Sequence, residues 1–152
     1  MSRFEHLQAK YSESTSSNLR HWAELHQAIR DLRKGFCEYL GVQPETTVQI
    51  SGVSTPVVSI GGRDDRHDFV NWQIEKLPKV GRAIEFSLKL AFGEMTQSEP
   101  APTFVERMLI ERVDGDMFKI TLRNPSEKEF KGPVFTQLFE SIYQSAMESL
   151  KV

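Results

Sequence analysis

The sequence predicts an α+β two-layer sandwich with one or two N-terminal helices, a mainly antiparallel meander sheet of about six strands, and a C-terminal helix. Three patterns carry this. Across 18–40 the apolar residues Leu19, Trp22, Leu25, Ile29, Leu32, Phe36 and Leu40 recur at spacings of three and four, which is one helical face. Between 47 and 123 the apolar residues alternate, most cleanly at Ile84, Phe86, Leu88, Leu90 and Phe92. From 134 to 150 a second helical stripe returns with Val134, Phe135, Leu138, Phe139, Ile142, Ala146 and Leu150. Two amphipathic helices and one apolar sheet face satisfy each other as two layers.

Taken in order, Ser2-Arg3-Phe4-Glu5 reads as a capping box, with a hydroxyl at the cap and a carboxylate three residues on. It starts a short helix over 3–11 carrying Phe4, Leu7 and Tyr11. Residues 12–18 hold four serines and a threonine, which compete with the helix for backbone hydrogen bonds, so a break or a soft spot is expected there. The main helix spans 18–40, and Gly41 and Pro44 stop it. Strands follow at 47–51, 57–60, 69–75 and 84–92. In 69–75, Val70, Trp72 and Ile74 are expected to point inward. Strand 104–113 breaks the alternation, because Met108, Leu109 and Ile110 make it apolar on both faces; a bulge, burial on both sides or an exposed contact patch would each explain this. Asp114-Gly115 marks a tight hairpin into strand 117–123. Asn124-Pro125-Ser126-Glu127 reads as a second helix start, with an interruption at Gly132-Pro133.

The chain of 152 residues reads as one domain, 1–152, in which 1–17 is a loosely packed helix. A hydrophobic fraction of 39% with 26% charged residues is that of an ordinary globular protein. The opening residues have no apolar leader core, no apolar run reaches transmembrane length, and the single cysteine, Cys37, forms no internal disulfide; the cytoplasm is the expected compartment. A net charge of −2 with interspersed signs argues against nucleic acid and membrane partners, and the small basic patch Arg30, Arg33 and Lys34 is diluted by Asp31 and Glu38.

Chemistry-bearing motifs are sparse. Residues 61–68, Gly-Gly-Arg-Asp-Asp-Arg-His-Asp, combine three carboxylates and an imidazole, but the spacing matches no EF-hand and two arginines would repel a metal and pair with the acids. The stretch reads as a solvated hairpin loop. His21 and His26 are five apart and do not share a helix face as a zinc pair would. Nothing beside Cys37 would activate its thiol, and Glu129-Phe130-Lys131 lacks the strand carboxylate of a nuclease site. No catalytic residue, metal ligand or cofactor is therefore assigned.

The sequence points to a non-enzymatic protein-binding or adaptor/chaperone-like module that forms a homodimer, with Met108, Leu109 and Ile110 as candidate interface residues. The helix–sheet–helix outline and size are similar to those of small acidic secretion chaperones, a likeness of architecture alone. The alternative is a small-molecule-binding or catalytic domain with an apolar cavity between the sheet and the C-terminal helix, lined by Trp22, Phe86, Phe118, Phe135 and Phe139.

Overall fold

A computed structural model describes residues 2–93, 102–115, 117–124 and 128–150, with Asn124 described by its backbone alone. Helix α1 (Arg3–Leu40) begins where the capping box places it, with Ser2 Oγ accepting from Glu5 N at 3.1 Å. It ends in a left-handed Gly41 (φ 80°), and Gly41 N and Val42 N donate to Glu38 O and Cys37 O. This paired closure satisfies carbonyls that the helix end would otherwise leave open.

The expected break at 12–18 does not occur; α1 is one helix of 38 residues, roughly 57 Å long at 1.5 Å per residue. Serine lowers helix stability by only about 0.5 kcal/mol per residue, too little to interrupt a ladder extended from both sides. Thr15 Oγ1 donates back to Tyr11 O at 2.9 Å, so its hydroxyl is satisfied without disturbing the backbone.

A short hairpin, β1 (Thr47–Ile50) and β2 (Val53–Pro56), stands apart from the main sheet. That sheet contains β3 (Val58–Arg63), β4 (Phe69–Asn71), β5 (Lys79–Val80), β6 (Ala83–Ala91), β7 (Thr103–Arg112), β8 (Phe118–Asn124) and β9 (Lys128–Gly132). Its order is β4-β3-β6-β7-β8-β9, all antiparallel, with β5 also paired to β6. Helix α2 (Thr136–Ser149) closes the chain.

Three elements differ from the sequence reading. Strand β4 stops at Asn71 and gives way to a 3-10 turn at Ile74–Lys76, which leaves Trp72 exposed rather than inward. Residues Lys128–Gly132 are an edge strand instead of a helix start, with Phe130 opposite Ile120 on β8. Asn-Pro opens turns as readily as helices, and the alternation Lys-Glu-Phe-Lys suits a strand with one wet face. Residues 125–127 of the proposed cap lie outside the described residues. The doubly apolar run at 108–110 resolves by parity. Met108 and Ile110 are 0% exposed and face the helices, so they cannot form a surface; only Leu109 reaches the other face, half-buried between Glu85 and Thr121.

One core lies between the helices and one sheet face. It joins Leu25, Ile29, Leu32 and Phe36 of α1 and Leu138, Phe139 and Ile142 of α2 to Phe86, Leu88, Met108, Ile110, Ile120 and Leu122 of the sheet. Polar ties fix the helices over it. Arg33 donates from Nε to Val58 O (3.0 Å) and from Nη2 to Pro44 O (2.6 Å). Arg30 pairs with Glu75, Arg112 with Glu24, and Tyr39 with Glu140. The basic patch read from sequence is thus partly spent on structure.

Candidate functional site

Three surface features among the described residues bear on function. The first is the N-terminal part of α1. Every described residue from 3 to 20 is exposed, because the body of the fold first meets the helix near His21 and Trp22. At that junction His21 Nε2–H donates to Arg82 O at 2.9 Å, Arg82 Nη1 reaches Asn18 Oδ1 at 2.8 Å, and Lys79 and Arg82 stack over the Trp22 ring. Beyond it, Phe4 (66% exposed), Leu7 (66%) and Tyr11 (74%) lie along the projecting segment. Their spacings of three and four put them on one stripe, and the same periodicity continues into the buried Leu25, Ile29, Leu32 and Phe36.

The second feature is an apolar hollow of about 490 Å³ where α1 ends, between β1, the end of β6 and the last turns of α2. Leu40, Val42, Val57, Leu90 and Met147 line it, and among its described lining only Thr46 and Tyr143 are polar.

The third feature is the sheet face turned away from the helices. Alternation along β3, β6 and β7 sends Ser59, Gly61 and Arg63, then Glu85, Ser87 and Lys89, then Val105, Arg107 and Leu109 to this side. The Glu85 carboxylate is shared: Arg63 Nη2 donates to Oε1 at 3.0 Å and Arg107 Nε lies 3.6 Å from the same oxygen. All three side chains are only about a quarter exposed (27%, 26% and 23% for Arg63, Glu85 and Arg107). Arg63 Nη1 also donates to His67 Nδ1 at 3.1 Å, which fixes that nitrogen as the unprotonated one. His67 sits in the left-handed region (φ 66°) at the end of the 64–68 loop. That loop is the exposed hairpin connection read from sequence, and Asp64 Oδ1 is occupied by Arg66 N and Asp68 N at 2.9 and 3.0 Å. A hollow of about 360 Å³ opens here, lined by Arg63, His67, Phe69, Ser87, Val105 and Arg107.

No family model, curated protein or solved structure matches the chain.

The residues singled out from sequence are dispersed. Of the candidate pocket residues, Phe86 and Phe139 are buried in the core, while Trp22, Phe118 and Phe135 pack half-buried against it; none of the five lines the apolar hollow. Among the described residues no three His, Cys, Asp or Glu side chains gather as a ligand set, and no helix is long and apolar enough to cross a membrane. Burial pushes the Cys37 thiol above its ordinary range. Burial, with Arg30 and Lys79 nearby, holds the His26 imidazole below its own.

Two features were missed. Glu106 is fully buried on the helix-facing side of β7, and the parity it shares with Met108 and Ile110 is the signal that could have found it. The Arg63–Glu85–Arg107 cluster is assembled from three strands far apart in sequence, and no local motif marks it.

Proposed function

We propose that the protein is a non-enzymatic protein-binding module that self-associates through the projecting half of α1. The observation that carries this is the exposed stripe Phe4, Leu7 and Tyr11 on a helical segment that no described residue of the body covers. A serine-rich helical segment of this length is marginal in water, because helix nucleation is unfavourable and stability normally comes from packing an apolar face. A covering partner removes that difficulty.

A second copy fits the space. The free segment 3–17 is roughly 22 Å long. Two such segments laid antiparallel place Phe4 of one copy near Tyr11 of the other. The partner's helix then ends before it meets the body of the fold at His21. Covering three apolar side chains on each copy buries about 800 Å² of side chain, below the roughly 1,200 Å² of a standard stable interface, so a weak, concentration-dependent association is expected. Such an interface is isologous and closes as a dimer.

Sedimentation velocity over a micromolar concentration series tests the reading. The wild type is expected to shift from monomer to dimer, and Leu7→Asp and Tyr11→Asp to remain monomeric with unchanged thermal unfolding of the body. A wild type that stays monomeric throughout contradicts it, as does a dimer indifferent to both substitutions.

The apolar hollow favours a second reading, capture of an apolar small molecule. Its volume suits a ligand, though Thr46 and Tyr143 alone could orient one. Binding of a fluorescent fatty-acid analogue, lost on filling the hollow with Ala146→Trp, would support it.

A further inference from the structure

The geometry points to a phosphate-monoester-binding site on the open sheet face, formed by Arg63, His67, Ser87 and Arg107 with Phe69 as an apolar wall. This site is independent of the projecting helix and lies on a different surface.

Charge balance is the first argument. Two guanidinium groups, Arg63 and Arg107, line the hollow and share the carboxylate of Glu85, a surplus of one positive charge. Lys89 stands beside the hollow with its ammonium 5.3 Å from the centre of the Phe69 ring. Asp64 and Asp65 are solvent-exposed and line the adjoining hollow of about 370 Å³, which shares Arg63, His67 and Ser87 with this one, but they do not line this one. Positive charge that is three-quarters buried is unfavourable without a counter-charge. A phosphate monoester carries between one and a half and two negative charges at neutral pH and presents three terminal oxygens to the paired guanidinium groups, where a carboxylate presents two.

Donor geometry is the second argument. Glu85 draws both guanidinium groups to one point, with Arg107 Nε buried 3.6 Å from its carboxylate, which leaves the terminal N–H groups of the two arginines for a ligand. His67 offers Nε2–H, because its Nδ1 accepts from Arg63. Ser87, 1% exposed, adds a hydroxyl on the same wall. Guanidinium forks, an imidazole N–H and a hydroxyl suit the three terminal oxygens of a phosphate.

The backbone is shaped around this place. Between Arg107 and Met108 the pairing with β8 shifts, so that Arg107 opposes Asn124 while Met108 opposes Leu122, and Arg123 is the extra residue. Such irregularities re-aim side chains beside binding sites. His67 holds a left-handed conformation unusual for a residue with a side chain. The Phe69 ring rests on Gly61, where a Cβ would come within 2.8 Å of the ring and 2.1 Å of Val70 O. The aromatic wall adjoining the donors favours a small phosphorylated molecule with an apolar or aromatic body, and the volume of the hollow fits one.

Titration of the full chain followed by amide NMR tests the site, using phenyl phosphate, inorganic phosphate, and sodium chloride at matched ionic strength. Phenyl phosphate is expected to produce saturable shifts at Phe69, Ser87, Val105 and Arg107, and inorganic phosphate weaker shifts at the same residues. Arg107→Met is expected to weaken binding by about tenfold to hundredfold, the usual loss of a charge-assisted donor. Arg107→Lys, which keeps the charge and loses the fork, is expected to be intermediate and supplies the test if Arg107→Met does not fold. Equal shifts with chloride, non-saturable shifts, or binding unaffected by both substitutions overturn the proposal. A phosphoserine peptide that binds more tightly than phenyl phosphate overturns the small-molecule assignment in favour of a phosphorylated protein.

Discussion

Replacing Phe36 with alanine should remove the hinge on which both helices and the sheet meet. Phe36 is 0% exposed, its ring stacks on Phe139 of α2 with centroids 5.4 Å apart, and Tyr39 lies 6.2 Å away on the same helix. Truncating a buried phenylalanine costs about 3–5 kcal/mol through lost transfer energy and the cavity left behind. The broken aromatic pair, worth about 0.5–1.5 kcal/mol, is part of that loss. The middle of the range, about 4 kcal/mol, is the working expectation, a large share of a domain stability of about 5–15 kcal/mol. Urea denaturation should be followed by far-ultraviolet circular dichroism and by fluorescence of Trp22 and Trp72, which sit on α1 and beyond β4 respectively. Both probes should give one coincident transition, moved to lower urea with an unchanged slope. A loss below about 1 kcal/mol, or separate transitions for the two probes, would refute a single core clamped between α1, α2 and the sheet. Trp22→Ala should cost less, since Trp22 is only half-buried and partly covered by Lys79 and Arg82.

Hydrogen bonding to Glu140 pushes the Tyr39 phenol up to about 12, and the same contact holds Glu140 below its ordinary value of 4.5. Stability from the raised tyrosine is complete below its ordinary value of 10 and falls as pH rises towards 12; that from the lowered glutamate is complete above 4.5 and falls as pH drops. Tyr39→Phe should flatten both limbs of the stability–pH curve, and unchanged limbs would show that the pair is absent. Gly61→Ala should destabilise by about 3 kcal/mol or more, since the new Cβ meets backbone at 2.1 Å, whereas Gly93→Ala, with no atom of the described residues within 4 Å, should change the melting temperature little. The Cys37 thiol, buried and raised, should react with a disulfide reagent only as the protein unfolds, and fast labelling of the native protein would contradict its placement.

The legible parts of the fold are those where local chemistry and packing agree. Ser2 and Gly41 cap α1 as their side chains and backbone freedom dictate, and the alternation 84–92 gave the central strand its correct inward face. Serines at 12–18 misled because propensity is a weak bias that a continuous ladder overrides. Asn124-Pro125 misled because one signal serves both turns and helix starts, and only pairing with β8 decides for β9. The run 108–110 could not be resolved locally, since its register is set by β6 and β8 on either side. The polar cluster was invisible for the same reason: Arg63, Glu85 and Arg107 become neighbours only through strand order β3-β6-β7. The exposed stripe Phe4, Leu7 and Tyr11 was legible as a helical face, but its lack of cover depends on where the sheet ends.

Hydrogen exchange of the backbone amides at 6–17, measured on the wild type at increasing protein concentration, tests the central claim most directly. These amides belong to a helix that the body of the fold does not touch, so their protection reports on whatever covers it. Self-association through α1 predicts protection that is slight when the protein is dilute, rises with concentration, and stays slight at every concentration in Leu7→Asp. Protection that is independent of concentration, or that Leu7→Asp leaves intact, would contradict the account.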